Sequence, residues 1–233
     1  MLLKIFYSPV MAFRAMKDTE KFPTMSLIIL LVIVIINNIL MIPVTSKVSE
    51  LSFSSMGVQM SDEQMEYALQ IMHKFRYLSA LSGVLSYCFM LVIYTLIIWV
   101  FTKIAKCKVS FQKTLELVIH CCFVVVIGSL VNTFILYYQG IETIENMYEI
   151  SLTGLNVLTS SESVGVVLYT FLSLINPFQV WFLALLTVGM AILADVKYDK
   201  AFFISFIFWA IITAFPVIVI FFTHSLLQSS GLM

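Results

Sequence analysis

The side chains best suited to chemistry stand together on one apolar stretch. Glu116 and His120 are four residues apart, so on a helix they share a face and could exchange a proton or hold a cation. Cys121 and Cys122 follow and add metal-ligand types. Consecutive helical residues point about 100° apart, so His120 and both cysteines cannot chelate one ion. In the alternative interpretation, Glu116 faces Lys113 and His120 makes a packing contact, and we expect no metal or cofactor.

Neutral amides form a second group of candidates, because each lies within a strongly apolar run. Amides in hydrocarbon usually bond to a neighbouring helix, a contact worth about 0.6 to 2 kcal/mol. In the other interpretation they line a polar cavity or an ion path. The residues concerned are Asn37, Asn38, Asn132, Asn176 and Gln179.

Pro177 follows Asn176 inside the fourth long apolar run. Proline lacks a backbone donor and clashes with the carbonyl four residues earlier, so a kink or break is predicted here. The Asn176 amide can satisfy a carbonyl freed by the break. Broken helices line binding sites in some transporters, and kinks also serve packing alone, so both roles stay open.

Small residues recur at four-residue spacing on the second apolar run. These overlapping small-x-x-x-small pairs predict a close helix-packing face, within the chain or between copies. The face consists of Ser79, Ser82, Gly83 and Ser86.

Enzyme signatures are missing from the sequence. It has no H-E-x-x-H, no G-x-S-x-G, no phosphate-cradling glycine loop and no pair of intramembrane aspartates, so we expect a protein that is not an enzyme. The formal net charge of zero leaves no basic stripe for nucleic acid. With 61% hydrophobic and 11% charged residues and a mean hydropathy of +1.03, the chain has the composition of a membrane protein.

The positioning elements are predicted to be membrane-spanning helices, which need about 20 mostly apolar residues each. The expected fold is all-α: one polytopic membrane domain over residues 1–233. Residues 1–24 are predicted to form a cytoplasmic interfacial helix, with Ser8 as its N-cap and Pro9 at the first helical position. Residues 44–76 are predicted to form an extracytoplasmic loop with an amphipathic helix, which begins at a capping box of Ser61 and Gln64. The five predicted spans cover about 25–43, 77–101, 114–138, 164–194 with the kink at Pro177, and 201–223.

The distribution of basic residues predicts the orientation. Residues 1–24 and the loops after the second and fourth spans together hold ten of the 13 basic residues. Cytoplasmic loops carry the positive excess, so the N-terminus is expected in the cytoplasm and the C-terminus outside. The loop after the third span contains Glu142, Glu145, Glu149 and Glu162 and no basic residue, which suits the outer face.

Two motif stretches resemble the Yip-domain family, the Ypt/Rab-interacting-protein-like membrane proteins, in its bacterial form. One is Phe6-Tyr7-Ser8-Pro9 through Phe22-Pro23, leading directly into a span. The other is Asn176-Pro177-Phe178-Gln179-Val180-Trp181, which is similar to the family's N-P-F-x-x-W segment and is followed by Gly189 and Lys200-Ala201.

The resemblance implies a helical bundle without known chemistry in a prokaryotic cytoplasmic membrane. Eukaryotic relatives contact small GTPases and carry a long cytosolic N-terminal segment. Only 24 residues precede the first predicted span here, so GTPase binding is not expected. Some bacterial relatives are associated with ABC-type exporters. The expected function is therefore a non-enzymatic scaffold or accessory protein in the lipid bilayer, packing against itself or another membrane protein. The alternatives are a small transporter or channel built on the kinked span, and a metal-binding or catalytic membrane protein using Glu116 and His120.

Overall fold

The computed structural model describes residues 3–19, 22–55, 62–144 and 150–229, and within these ranges all regular structure is helical. The capping box expected at Ser61 and Gln64 involves residue 61, which lies outside the described residues. The helices are α1 (Lys4–Tyr7), α2 (Pro9–Lys17), α3 (Thr24–Leu40), α4 (Ile42–Ser55), α5 (Asp62–Ile104), α6 (Phe111–Gln139), α7 (Ser161–Val164), α8 (Val166–Leu174), α9 (Pro177–Leu193) and α10 (Tyr198–Ser229).

Within the described ranges, three helical stretches are long and apolar enough to cross a bilayer by themselves, and two bent helix pairs reach that length together. The chain therefore has three to five candidate spans, which makes it a multi-pass membrane protein. The single stretches are Leu81–Ile104, Phe111–Gln139 and Tyr198–Thr223, and the pairs are Thr24–Leu40 with Ile42–Ser52 and Val166–Leu174 with Pro177–Leu193.

The region after the first apolar run contains more helix than a loop would. A single residue separates the end of α3 from the start of α4, which continues to Ser55. Helix α5 runs without interruption from Asp62 into the apolar Leu81–Ile104 stretch. Hydroxyl side chains in α4 donate hydrogen bonds to the helix's own backbone, as Ser46 and Ser49 do to the carbonyls four residues earlier. These internal bonds satisfy the hydroxyls without a partner from another element.

The chain divides into two compact units. Unit 1 comprises residues 1–33, 85–128 and 177–213, and unit 2 comprises residues 34–84, 129–176 and 214–233. In unit 1 the side chains of Phe182 and Phe208 are fully buried, and the Phe208 ring meets Tyr94 edge-on at 5.2 Å between centroids. In unit 2 an apolar core is centred on buried Val44 and Leu136.

Candidate functional site

The N-terminal helix α2 packs into unit 1 along one face of α9. Its start at Pro9 uses the fixed φ of proline, which suits the first helical position. Three of its side chains, Ala12, Phe13 and Met16, are 0% exposed. Sequence reasoning placed this helix in the membrane interface, and the structure shows in addition that one face is packed into protein.

Gly189 makes this close packing of α2 on α9 possible. A Cβ added there would lie 3.0 Å from the Phe13 ring and would collide with the Leu117 side chain of α6. Helices α2, α6 and α9 therefore meet at a position that has room only for glycine. We call the contact of Phe13, Leu117 and Gly189 the glycine junction.

The two motif stretches found in the sequence contact each other in unit 1. Phe6 and Trp181 meet edge to face, with ring centroids 5.7 Å apart and an interplanar angle of 83°. Further along the chain, Phe13 of α2 reaches Gly189, which is on the same helix α9 as Trp181. Edge-to-face aromatic pairs add about 0.5 to 1.5 kcal/mol beyond area burial. The stretches that are far apart in sequence therefore form one packed seam.

Lys113 binds the C-terminal end of α2. Its ammonium donates hydrogen bonds to the backbone carbonyls of Met16 and Thr19 and lies 3.1 Å from the Glu116 carboxylate. The carbonyls at the end of a helix have no partner within the helix and carry partial negative charge, so a cation is favourable there. The side chain of Glu116 is only 5% exposed, and Lys113 supplies the charge that this burial requires.

His120 connects α6 to the first turn of α3. Its Nδ1 lies 2.7 Å from the Glu116 backbone carbonyl, and its Nε2 lies 3.0 Å from the Ser26 hydroxyl. In the neutral ring Nδ1 donates to the carbonyl, and Nε2 accepts from the hydroxyl. The Glu116 carboxylate points to Lys113, so the two candidate acid–base side chains have separate partners.

The metal-ligand types at this place do not assemble into a binding set. No group of three or more His, Cys, Asp or Glu side chains that could hold a metal occurs in the described part of the chain. Cys121 and Cys122 are buried as free thiols, 0% and 1% exposed. They fill space as small apolar side chains do.

Three segments from distant parts of the sequence come together at one end of unit 1. Lys113 joins residues 16–19 to the start of α6, and Lys17 forms an ion pair with Asp195 at 3.2 Å. Lys200 donates to the carbonyl of Ala105. The basic stretches that sequence reasoning assigned to one side of the membrane thus lie at a common end, which we call the basic end.

In unit 2, Asn37 is at the centre of a hydrogen-bonded contact between α3 and α6. Its Nδ2 donates to the Ser129 hydroxyl at 3.0 Å, and its Oδ1 accepts from the Thr133 hydroxyl at 3.0 Å. One turn further along, the Tyr137 hydroxyl donates to the carbonyl of Leu40 at 2.7 Å. Sequence reasoning missed Ser129, Thr133 and Tyr137, although their four-residue spacing marks a polar stripe on α6.

Asn132 fixes the chain segment that follows α6. Its Nδ2 donates to the carbonyl of Ile150 at 2.8 Å, and its Oδ1 accepts from the backbone amide of Leu152 at 2.7 Å. Asn156, which sequence reasoning did not single out, is 0% exposed and donates to the carbonyl of Ser151 at 2.6 Å. The two amides hold an irregular segment through its backbone.

Gly83 brings α5 close to α3. A Cβ added at Gly83 would lie 2.7 Å from the Asn38 side-chain nitrogen, so the small residue fits directly against this amide. Ser82 and Ser86, from the same predicted packing face, are exposed. The side chain of Ser79 lies outside the described part of the structure.

The helix breaks between Leu174, where α8 ends, and Pro177, where α9 begins. The Asn176 side chain donates to the carbonyl of Ser173 at 3.4 Å, and the carbonyl of Ile175 accepts from the backbone amide of Leu155 at 3.0 Å. Carbonyls next to the break thus have partners in the protein. Gln179 follows in the first turn of α9, half-buried.

Described residues of unit 2 line at least two cavities. One, of about 510 Å³, is lined among others by Gln139, Thr143 and Tyr169, and the other, of about 280 Å³, by Lys47 and Glu142, which are 3.4 Å apart. The five candidate amides line neither of them.

This geometry defines a class of protein: an all-helical, multi-pass membrane protein whose candidate polar residues join its own helices. The Yip1 domain matches residues 3–220, so the chain belongs to the Yip1 domain family. The match includes both motif stretches, the glycine junction and the basic end. The family is not known for enzymes. No curated protein and no solved structure matches the chain significantly.

Proposed function

We propose that the chain is a non-enzymatic membrane scaffold or accessory protein that acts by packing against a second copy or another membrane protein. Five spans cross the bilayer in this proposal, counting each bent helix pair as one. A prokaryotic cytoplasmic membrane is the proposed location, and an ABC-type exporter is one candidate partner.

One observation carries the proposal: the candidate polar side chains are engaged with the chain's own helices and loops. Asn37 bonds to Ser129 and Thr133, Asn132 bonds to the segment after α6, and Glu116 bonds to Lys113. Coupled transport and catalysis need polar groups that face a substrate path. Polar groups used for internal bonds instead hold the helices of each unit together and leave outer, apolar faces available for contact.

The outer faces are extensively apolar. On α5, Leu85 is 73% and Phe89 68% exposed, and on α10, Phe203 is 64% and Phe215 68% exposed. Between membrane helices the apolar surface gives no preference over lipid, so association depends on shape and on small or polar residues. The exposed Ser86 on the α5 face supplies such a residue for a partner helix.

The proposed orientation places the basic end in the cytoplasm. Its support is that basic segments from the N-terminus, the α5–α6 turn and the α9–α10 turn meet there, which agrees with the positive-inside rule. Lys106→Cys and Glu142→Cys test it in separate chains whose other cysteines are replaced. In intact cells an impermeant maleimide should label position 142 and reach position 106 only after permeabilisation. The reverse pattern would overturn the orientation.

Photo-crosslinking in native membranes tests the scaffold function. A benzophenone amino acid is placed at exposed Leu85, Phe89, Phe203 and Phe215 in turn, and at Leu91, which is 3% exposed, as the matched buried control on α5. We expect a discrete adduct with a second copy or a membrane protein from at least one outer position and from none at Leu91. Adducts with lipid alone, together with solute flux by the purified protein in liposomes, would replace the scaffold with a carrier or channel.

A further inference from the structure

The N-terminal helices α1 and α2 carry apolar side chains that the protein interior does not cover. Leu3, Tyr7 and Met11 are 75%, 72% and 65% exposed, although they precede the first apolar run of the chain. Between them lie Ile5 and, further on, Phe13, both 0% exposed. The segment therefore has one apolar side in the core of unit 1 and further apolar side chains at its surface.

Cationic side chains accompany this exposed apolar surface. In the N-terminal helices Lys4, Arg14 and Lys17 are exposed, and the basic end adds further exposed cations. Among the described residues of unit 1, eight basic side chains are exposed against three acidic ones, Asp18, Asp195 and Asp199. The exposed basic residues are Lys4, Arg14, Lys17, Lys103, Lys106, Lys108, Lys197 and Lys200.

The surface is held at a defined position relative to the first apolar helix. Lys113 fixes the C-terminal end of α2, the glycine junction fixes its middle, and α3 starts at Thr24, only a few residues after Thr19. In the predicted topology, a helix that close to the start of a span lies at the level of the lipid headgroups. Phosphates and the upper acyl chains are the groups it meets there.

We propose that the outward face of α1 and α2, formed by Leu3, Tyr7 and Met11 with Lys4, Arg14 and Lys17, binds anionic phospholipids in preference to zwitterionic ones. The apolar side chains enter the upper acyl region, and the cations bind the headgroup phosphates. An acidic soluble protein would satisfy the cations and leave the apolar side chains beside the membrane without an apolar partner. Each basic side chain near an anionic surface contributes about fivefold in affinity.

Lipid retention measures this preference. The full-length protein is reconstituted in phosphatidylcholine vesicles containing phosphatidylglycerol and extracted with mild detergent, and the retained lipids are quantified. We expect phosphatidylglycerol enriched several-fold over its share in the vesicle. The triple variant Lys4→Gln, Arg14→Gln, Lys17→Gln should lose most of that enrichment, and high salt should weaken it.

A matched triple variant separates this surface from the effect of net charge. Lys47→Gln, Lys74→Gln and Arg76→Gln remove the same three charges from unit 2 and should keep the enrichment. Equal loss in both variants, or none in either, would overturn the proposal. A third arm compares the unfolding temperature of the protein in phosphatidylcholine vesicles with added inorganic phosphate and in vesicles containing phosphatidylglycerol. If free phosphate raises the unfolding temperature as much as phosphatidylglycerol does, the surface is an anion site rather than a lipid surface.

Crosslinking distinguishes lipid from protein as the occupant. A benzophenone amino acid at Met11 should give adducts with the mass of one phospholipid in reconstituted vesicles and in native membranes. The same probe at Asp199, exposed at the basic end on an acidic position, serves as the control and should give fewer lipid adducts. Protein adducts at Met11 in native membranes, without lipid adducts, would show that a protein covers this surface and would refute the proposal.

Discussion

The glycine junction gives the sharpest quantitative prediction, through the substitution Phe13→Ala. Phe13 is 0% exposed, and its ring lies 3.0 Å from where a Cβ at Gly189 would be. Gly189 has no side chain that could move into the cavity that truncation of the ring leaves. Fully burying a phenylalanine is worth about 1.5 to 3 kcal/mol, and the cavity left behind raises the cost of Phe→Ala to about 3 to 5 kcal/mol. Helix α2 precedes the first apolar helix, so its undocked state meets water or headgroups and this scale applies.

Hydrogen exchange of the α2 amides measures the loss. A cost of 3 kcal/mol raises the opening equilibrium of the helix roughly 100-fold, because every 1.4 kcal/mol is tenfold. Mass spectrometry of the protein in nanodiscs should show this acceleration in the peptide covering residues 10–17 and little change in α6. Met11→Ala is the control on the same helix: Met11 is 65% exposed, so its truncation should change stability by less than about 0.5 kcal/mol.

The substitution Gly189→Ala tests the same contact by adding a methyl group on α9 instead of removing the Phe13 ring from α2. Overpacking costs about 1 to 3 kcal/mol, and the better helix propensity of alanine returns up to about 1 kcal/mol. We therefore expect a smaller acceleration of exchange than with Phe13→Ala. If Phe13→Ala and Met11→Ala accelerate exchange equally, Phe13 does not hold α2 on α9, and the packing argument fails.

Three further predictions concern polar contacts and close packing. Lys113→Met leaves the buried Glu116 carboxylate without its cation and should lower the unfolding temperature strongly. Lys17→Met removes a cation from an exposed pair and should have almost no effect on the unfolding temperature. Adding Glu116→Gln to Lys113→Met should recover part of the lost stability, and no recovery would show that the unpaired charge is not the cause of the loss. Asn37→Leu should cost about 0.6 to 2 kcal/mol in steric-trap unfolding, and a cost near zero would contradict the role of the amide. Gly83→Leu should destabilise the single chain by about 1 to 3 kcal/mol in the same assay; unchanged stability with weakened self-association would assign Gly83 to a contact between copies.

The helical class and the membrane location follow from composition, because a chain with 61% hydrophobic residues must place apolar surface in lipid and satisfy its backbone internally. The number of spans is shown less finely. Among the described residues, three helices are long and apolar enough to cross a bilayer, and two more spans require counting each bent helix pair as one. Hydropathy averaged over a stretch of sequence reports apolar length. It does not report where a helix breaks, as after Leu40, or that α5 is continuous from Asp62.

The partners of individual polar residues depend on tertiary distances that spacing cannot give. Glu116 and His120 share a helix face by their spacing, yet the carboxylate meets Lys113 and the imidazole meets a backbone carbonyl and Ser26. Asn132 fits a helix-packing residue by position, but its partners are the backbone groups of Ile150 and Leu152. Such contacts with irregular segments have no periodic signal.

The docking of α2 has a consequence for biosynthesis. Gly189, against which Phe13 packs, is made 176 residues after Phe13. At about 5 to 20 residues per second, the ribosome needs roughly 10 to 35 s to supply the partner helix. During that interval the apolar face of α2 has no partner on α9, so this contact of unit 1 can close only after α9 has been made.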